Sequence, residues 1–253
     1  MLTFEHTVNR FGGVIIDPSS LPSETSDFTE DLYLALEAWR GEGHKLVWLE
    51  VPIAHAIIVP IATEAGFVFH HATETYLMMV YRLVDGAFVP DYATHHIGAG
   101  GVVINDKNEL LVVSERHRRD TSRPYYKLPG GALNPREHLV DGAIREVYEE
   151  TGVKTKFESL VCFRHWHGYR YGKSDMYMIC RLSPLSDEIV RQESEIEECR
   201  WMPVEEYLSN DYVGSFNRRI VELAINHKGF ASGWFDGYEN RETHEFFVPQ
   251  ETF

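Results

Sequence analysis

Residues 130–153 read GGALNPREHLVDGAIREVYEETGV, and the rest of the chain is organised around them. Leu128-Pro129-Gly130-Gly131 reads as a strand end entering a tight loop, since glycine supplies backbone angles that other residues avoid. Asn134 is placed as an N-cap, Pro135 as the first helical residue and Glu137 three after the cap, a variant of the capping box. Leu139, Val140, Ala143, Ile144 and Val147 recur at helical spacing and form one apolar stripe. Gly152 follows the last turn and can end it. The pattern predicts a helix over 135–151 that is buried along one side. On that helix Glu146, Glu149 and Glu150 stand at i, i+3 and i+4 and share a face. Like charges at this spacing repel. A hard cation such as Mg²⁺ or Mn²⁺, which takes oxygen ligands and bridges carboxylates to phosphates, gives the helix a reason to keep them together. The alternative is a solvated acidic face partly neutralised by Arg145.

Gly131, Glu137, Arg145-Glu146, Val147, Glu149-Glu150 and Gly152-Val153 fit the pattern G-x5-E-x7-R-E-U-x-E-E-x-G-U, with U aliphatic. This stretch resembles the signature of the Nudix hydrolase family at every constrained position, against chance odds on the order of 10⁻⁷. The resemblance implies an α/β/α sandwich with a mixed sheet. It implies a metal-dependent diphosphatase acting on a nucleoside diphosphate linked to another moiety. Glu146, Glu149 and Glu150 would hold Mg²⁺ or Mn²⁺, with the Gly130 carbonyl as a further ligand. Glu137 would support the loop–helix architecture, and Arg145 would pin the loop and orient the acids. In this family a further acid often comes from a loop beyond the box; Glu195 or Glu197, in QESEIEECRW at 192–201, occupies that area, and a surface acidic loop is the other reading. The base that deprotonates the attacking water is left open among these glutamates.

Composition sets wider limits. The chain has 253 residues, 43% hydrophobic and 25% charged, as in ordinary globular proteins. No apolar run reaches the ~20 residues of a membrane helix. MLTFEHTVNR carries no charged region followed by an apolar core, so no secretory signal is expected. Cys162, Cys180 and Cys199 show neither metal nor disulfide spacing, and a cytoplasmic setting fits them. A net charge of −15 argues against broad nucleic-acid or membrane-surface binding and leaves room for a local basic pocket that takes an anionic ligand; the resemblance implies that this partner is a small-molecule nucleotide.

The first ninety residues read as a separate small α/β domain, 1–92, followed by a second domain over 93–253. Residues 1–24 read as irregular. Asp27–Trp39 reads as an amphipathic helix stopped by Gly41, Lys45–Val51 as a strand, and Ala54–Ala65 as a helix that Pro60 kinks or restarts. Phe67–His71 and Tyr76–Leu83 read as strands, and Asp85–Tyr92 as the boundary. Adjacent strand residues face opposite ways, so His70 and His71 are not expected to share a ligand. A packing role is expected for them and for His95-His96.

WRGEGHKLVWLEVP, GFVFHHATETYLMMVYRL and HHIGAGGVVINDKNELLVV are similar to a two-domain Nudix subgroup. Its members include plant cytosolic ADP-ribose/NADH pyrophosphatases and the animal fibroblast-growth-factor antisense protein. That resemblance implies ADP-ribose or NADH as substrate and an acetyltransferase-like fold for the first domain, although no glycine-rich acyl-CoA loop is present. Coenzyme A, capped RNA, or nucleotide binding with little turnover are the alternatives.

In the second domain, His96–Ile104 and Glu109–Ser114 read as a hairpin joined at 105–108. Pro124–Leu128, Lys156–Phe163, Met176–Leu182 and Glu198–Met202 read as further strands, with helices at Val204–Leu208 and Asn217–Asn226. Arg116, Arg118, Arg119 and Arg123 cluster before the box and suggest phosphate capture by guanidinium groups, against a solvated loop. Tyr126 stands where the family often places an aromatic residue, next to Lys127. Tyr125 and Tyr126 read either as base-stacking groups or as core. RHWHGYRYGKSD, 164–175, with Arg164, His165, His167, Arg170 and Lys173, reads as a loop contacting a ligand or a second copy in a homodimer. The aromatic tail from Gly229 should pack on the body or on another subunit.

Overall fold

The computed structural model describes residues 4–22, 24–118, 120–238 and 240–250; Arg119 and the last three residues of the tail lie outside them. The chain divides into two compact units, Met1–Ala93 and Thr94–Phe253.

The first unit contains β1 (His6–Val8), β2 (Gly13–Ile16), α1 (Thr25–Gly41), β3 (Leu46–Pro52), α2 (Val59–Glu64), β4 (Val68–Ala72) and β5 (Tyr76–Arg82). Its sheet runs β1-β2-β3-β5-β4, parallel only between β2 and β3. Phe28, Leu32, Ala35, Leu36 and Trp39 of α1 are buried in one core with Val14, Ile16, Val47, Leu49 and Met79, as their three-and-four spacing requires. Two expectations fail here. Residues 1–24 are not irregular throughout, because β1 and β2 form a hairpin too short to leave an alternation in the sequence. Gly41 is the last helical residue, and Gly43, at φ 83, makes the left-handed turn beyond it. Pro60 does restart the next helix: a 3-10 turn over Ile53–Ile58 precedes α2, with the proline in its first turn.

The second unit contains β6 (His95–Val103), β7 (Glu109–Glu115), β8 (Gly130–Ala132), α3 (Leu139–Thr151), β9 (Thr155–Trp166), β10 (Ser174–Pro184), β11 (Ile196–Pro203), α4 (Val204–Ser209), α5 (Ser215–Asn226), β12 (Phe230–Ser232) and β13 (Phe247–Pro249). Six strands form a mixed sheet in the order β13-β12-β9-β10-β6-β8, and β7 pairs with β11. Strand alternation sends side chains to two opposite cores. Val102, Leu110, Val112 and Ile179 meet Ile220, Val221 and Ala224 of α5. Ala99, Val103, Leu111, Cys180 and Leu182 meet Leu139, Ala143 and Val147 of α3. The result is the α/β/α sandwich.

The expected hairpin at 105–108 makes its turn, Asn105 donating to the Glu109 carbonyl at 3.0 Å, but the strands then part. Only the Ile104–Leu110 bridge joins them, because β6 lies between β10 and β8 while β7 takes β11. Pro124–Leu128 is extended rather than a laddered strand and makes a single bridge, Lys127 to Val113. Part of the tail joins the body: β12 pairs with β9 and β13, and Phe247 packs on the α3 core.

Candidate active site

The box helix starts at Leu139, four residues later than the sequence suggests. Arg136 sits at φ 67, a left-handed angle that interrupts a right-handed helix. Asn134 therefore caps no helix. Its N–H donates to Glu137 Oε2 at 2.8 Å, closing a turn ahead of the helix. The open N–H groups of Leu139 and Val140 are taken by the Glu245 carboxylate at 2.5 and 3.2 Å, a cap supplied by the tail. Gly152, at φ 74, closes the other end.

Arg145 gathers the loop and the acids. Its guanidinium donates to both Glu137 oxygens at 2.6 and 2.8 Å, to Glu146 at 2.8 Å, to Glu149 at 2.9 Å and to the Ala132 carbonyl at 3.1 Å. No lysine could serve all of these acceptors. The Arg145 hydrogen bonds hold the Glu137 carboxyl at about 2. Glu146 lies against Gly131, where an added Cβ would come within 2.5 Å of its Oε2. Burial pushes its carboxyl up, despite Arg145.

Glu150 is buried, and its Oε2 accepts the Gly130 N–H at 3.0 Å. Burial pushes its carboxyl up to about 7, against the pull of Lys127, whose Nζ lies 3.8 Å away. Lys127 is also ion-paired with Glu115 at the end of β7. Burial alone would lower the lysine, but Glu150 and Glu115 outweigh it and hold the ammonium above its usual range.

Among the described residues no three acidic, histidine or cysteine side chains converge as metal ligands do; Glu149 is exposed and drawn to Arg145. The donors do fit a hard divalent cation in type. All are oxygens, two carboxylates meet the Gly130–Gly131 turn, and buried Glu150 has, among the described residues, only one N–H and a lysine at 3.8 Å as partners.

Beside this turn opens a cleft of about 590 Å³ whose lining includes Gly98, Gly130, Gly131, Glu115, Lys127, Tyr177, Arg164, His96, Tyr169 and Phe216. Glu137, Glu146, Glu149 and Glu150 are not in that lining; Glu150 and Glu146 meet it through Gly130 and Gly131, the two lining glycines they contact. The sequence-predicted residues divide accordingly. Lys127 lines the cleft, as do Tyr125, Arg164 and Arg170. Arg116 faces Glu193 at 3.9 Å, Arg118 is bound to Glu197 and to backbone carbonyls, and Arg123 pairs with Asp120 at 3.4 Å. These three lie outside the cleft lining. Tyr126 is buried in the α5-side core, with its hydroxyl on Glu198 at 3.0 Å. Glu195 and Glu197 are exposed, and Glu197 is paired with Arg118.

The paired histidines also differ from expectation. A bulge between Phe69 and His71 turns both rings to one side, so that the His70 and His71 Nδ1 atoms lie 2.7 Å apart; strict alternation fails at a bulge. His95 meets His165 at 2.9 Å, while His96 lines the cleft. Sequence reasoning missed Glu115, Tyr177 and Glu245. Of these only Tyr177 left a signal, the run Gly98-Ala99-Gly100-Gly101 against which its ring packs.

A family profile described as "Nudix hydrolase domain" matches residues 4–83, and one described as "NUDIX domain" matches residues 94–224. Nudix hydrolase 8 of Arabidopsis thaliana is 39% identical over 219 residues, 85% of this chain and 59% of that protein. Nudix hydrolase 2 of the same plant is 40% identical over 209 residues, 82% of this chain and 75% of that protein. The human nucleoside diphosphate-linked moiety X motif 6 is 34% identical over 226 residues, 86% of this chain and 71% of that protein.

Proposed function

The chain belongs to the Nudix hydrolase family, and from that premise we propose that it cleaves the diphosphate bond of a nucleoside diphosphate derivative, ADP-ribose or NADH foremost. The observation that carries the proposal is the meeting of Glu146 and buried Glu150 on the Gly130–Gly131 turn, beside a cleft with Lys127 in its wall. Glu146, Glu149 and Glu150, with the Gly130 carbonyl, would hold Mg²⁺ or Mn²⁺. Bound there, the ion neutralises charge on phosphoryl oxygens and makes water more acidic.

The chain's own groups supply the rest. Arg145 stays with the carboxylates and fixes their direction. Lys127 offers its ammonium to the diphosphate from the cleft wall. One of the glutamates accepts the proton of the attacking water. The water oxygen bonds to one phosphorus as the bridging P–O bond breaks, and ADP-ribose yields AMP and ribose 5-phosphate. Tyr125, Tyr169 and Phe216 along the cleft suit a ring-bearing ligand. No helix among the described residues is long and apolar enough to cross a membrane. A cytoplasmic location and a homodimer accompany the proposal, the latter checked by light scattering.

The test is a panel of ADP-ribose, NADH, NAD⁺, coenzyme A and capped RNA, each with Mg²⁺ or Mn²⁺, resolved by chromatography. Metal-dependent AMP from ADP-ribose or NADH is expected. Faster cleavage of coenzyme A or capped RNA would replace the substrate assignment, and no cleavage of any would reject it.

A further inference from the structure

The sequence Gly98-Ala99-Gly100-Gly101 on β6 leaves one strand nearly bare on both faces. Gly101 faces α3, where an added Cβ would meet Val147 at 2.7 Å. Gly98 and Gly100 face the other way; Gly98 lines the cleft, and Tyr177 of β10 packs against both glycines. Tyr177 pairs directly with Gly98, and Gly100 with Gly130 of β8. The tyrosine ring thus lies across β6 towards β8. An added Cβ at Gly98 would come within 2.9 Å of the ring, and one at Gly100 or Gly130 within 2.5 Å of its hydroxyl. Three glycines on two strands therefore make a slot for one aromatic ring, the usual meaning of glycine inside a strand being a close approach. From the open side the Arg164 guanidinium lies 5.6 Å from the ring centroid, and Arg164 is itself tied to Asp175.

The ring is fixed, yet its hydroxyl hydrogen-bonds no other described residue. Buried Tyr126, by contrast, has its hydroxyl on Glu198. The Tyr177 hydroxyl rests on the cleft side of Gly130, the residue whose N–H is bound by Glu150. A donor held there serves anionic oxygen, since the neighbouring carboxylates already have Lys127, Arg145 and Arg164 as partners. From this geometry we propose that Tyr177 is a phosphate-contacting residue, its hydroxyl donating to a non-bridging oxygen of the bound diphosphate where that group meets the Gly130–Gly131 turn. The inference rests on the diphosphate reading above and adds a residue to it.

Tyr177→Phe keeps the ring in its slot and removes only the donor. Calorimetry with α,β-methylene-ADP and Mg²⁺ should show wild-type binding weakened about tenfold or more in Tyr177→Phe, the usual effect of losing a hydrogen bond to a charged group. Tyr207→Phe, at a buried position of α4 in the core it shares with α5, should bind as wild type does. Equal thermal midpoints for wild type and Tyr177→Phe would exclude a packing defect. Wild-type binding that Tyr177→Phe leaves unchanged would overturn the inference alone. Failure of the wild type to bind this diphosphate at all would overturn the diphosphate reading and the inference with it.

Discussion

Glu150 concentrates the conflict between stability and chemistry. Its carboxyl lies at about 7 in the folded protein, against about 4.3 in an unfolded chain. The folded state therefore keeps a proton that the unfolded state loses across this window, and Glu150 costs stability progressively as pH rises through it. In chelator at pH 8, Glu150→Gln should be more stable than wild type by about 1–3 kcal/mol. The gap should close towards pH 4.5, as thermal melts would show, and a constant gap would contradict the argument. With Mg²⁺ present the same variant should lose activity by about 10²-fold or more. Glu137 works in the opposite sense: its lowered carboxyl, at about 2, contributes stability that is present above its unfolded value and lost as pH falls towards 2. Gly131→Ala tests the turn from the other side. Its Cβ would displace Glu146, so turnover should fall at least tenfold while the melt changes little, since a flexible side chain can move aside. The fixed spacing of these acids made them legible in the sequence. Tyr177 was legible in principle, because GAGG in a strand signals a close neighbour, but only the register of β10 against β6 identifies it.

At the scale of elements, what sequence spacing missed came from distant partners. Asn134 and Pro135 carry a helix start signal, yet Arg136 takes a left-handed angle and the helix begins at Leu139. Glu245 then caps it from more than a hundred residues away, which no local pattern can reveal. Removing that cap by Glu245→Ala should cost about 1 kcal/mol. Hydrogen exchange should quicken at the Leu139 and Val140 amides first; unchanged protection there would show that Glu245 does not hold the helix end. Bulges and diverging strands escape for a related reason. The alternation at His70-His71 is broken by a register shift, and the hairpin at 105–108 opens because β7 finds β11 instead of β6. Gly152 was readable, since a glycine after the last helical turn acts within its own segment.

At the scale of the whole molecule, each unit has its own core: one in the first unit, and two on opposite faces of the sheet in the second. The box, Lys127, Glu115 and the cleft all fall within Thr94–Phe253. Residues 94–253 alone should therefore fold and retain metal-dependent cleavage. A folded fragment that binds substrate without turnover would assign the first unit a part in catalysis. The central claim, that the box glutamates run a metal-dependent diphosphate hydrolysis, is tested most directly by ³¹P NMR of ADP-ribose with the full chain and Mg²⁺ or Mn²⁺. The prediction is that the two coupled diphosphate signals give way to two monophosphate signals, only with metal and not with Glu150→Gln. Diphosphate signals that persist with either metal, or that vanish equally with Glu150→Gln, would contradict it.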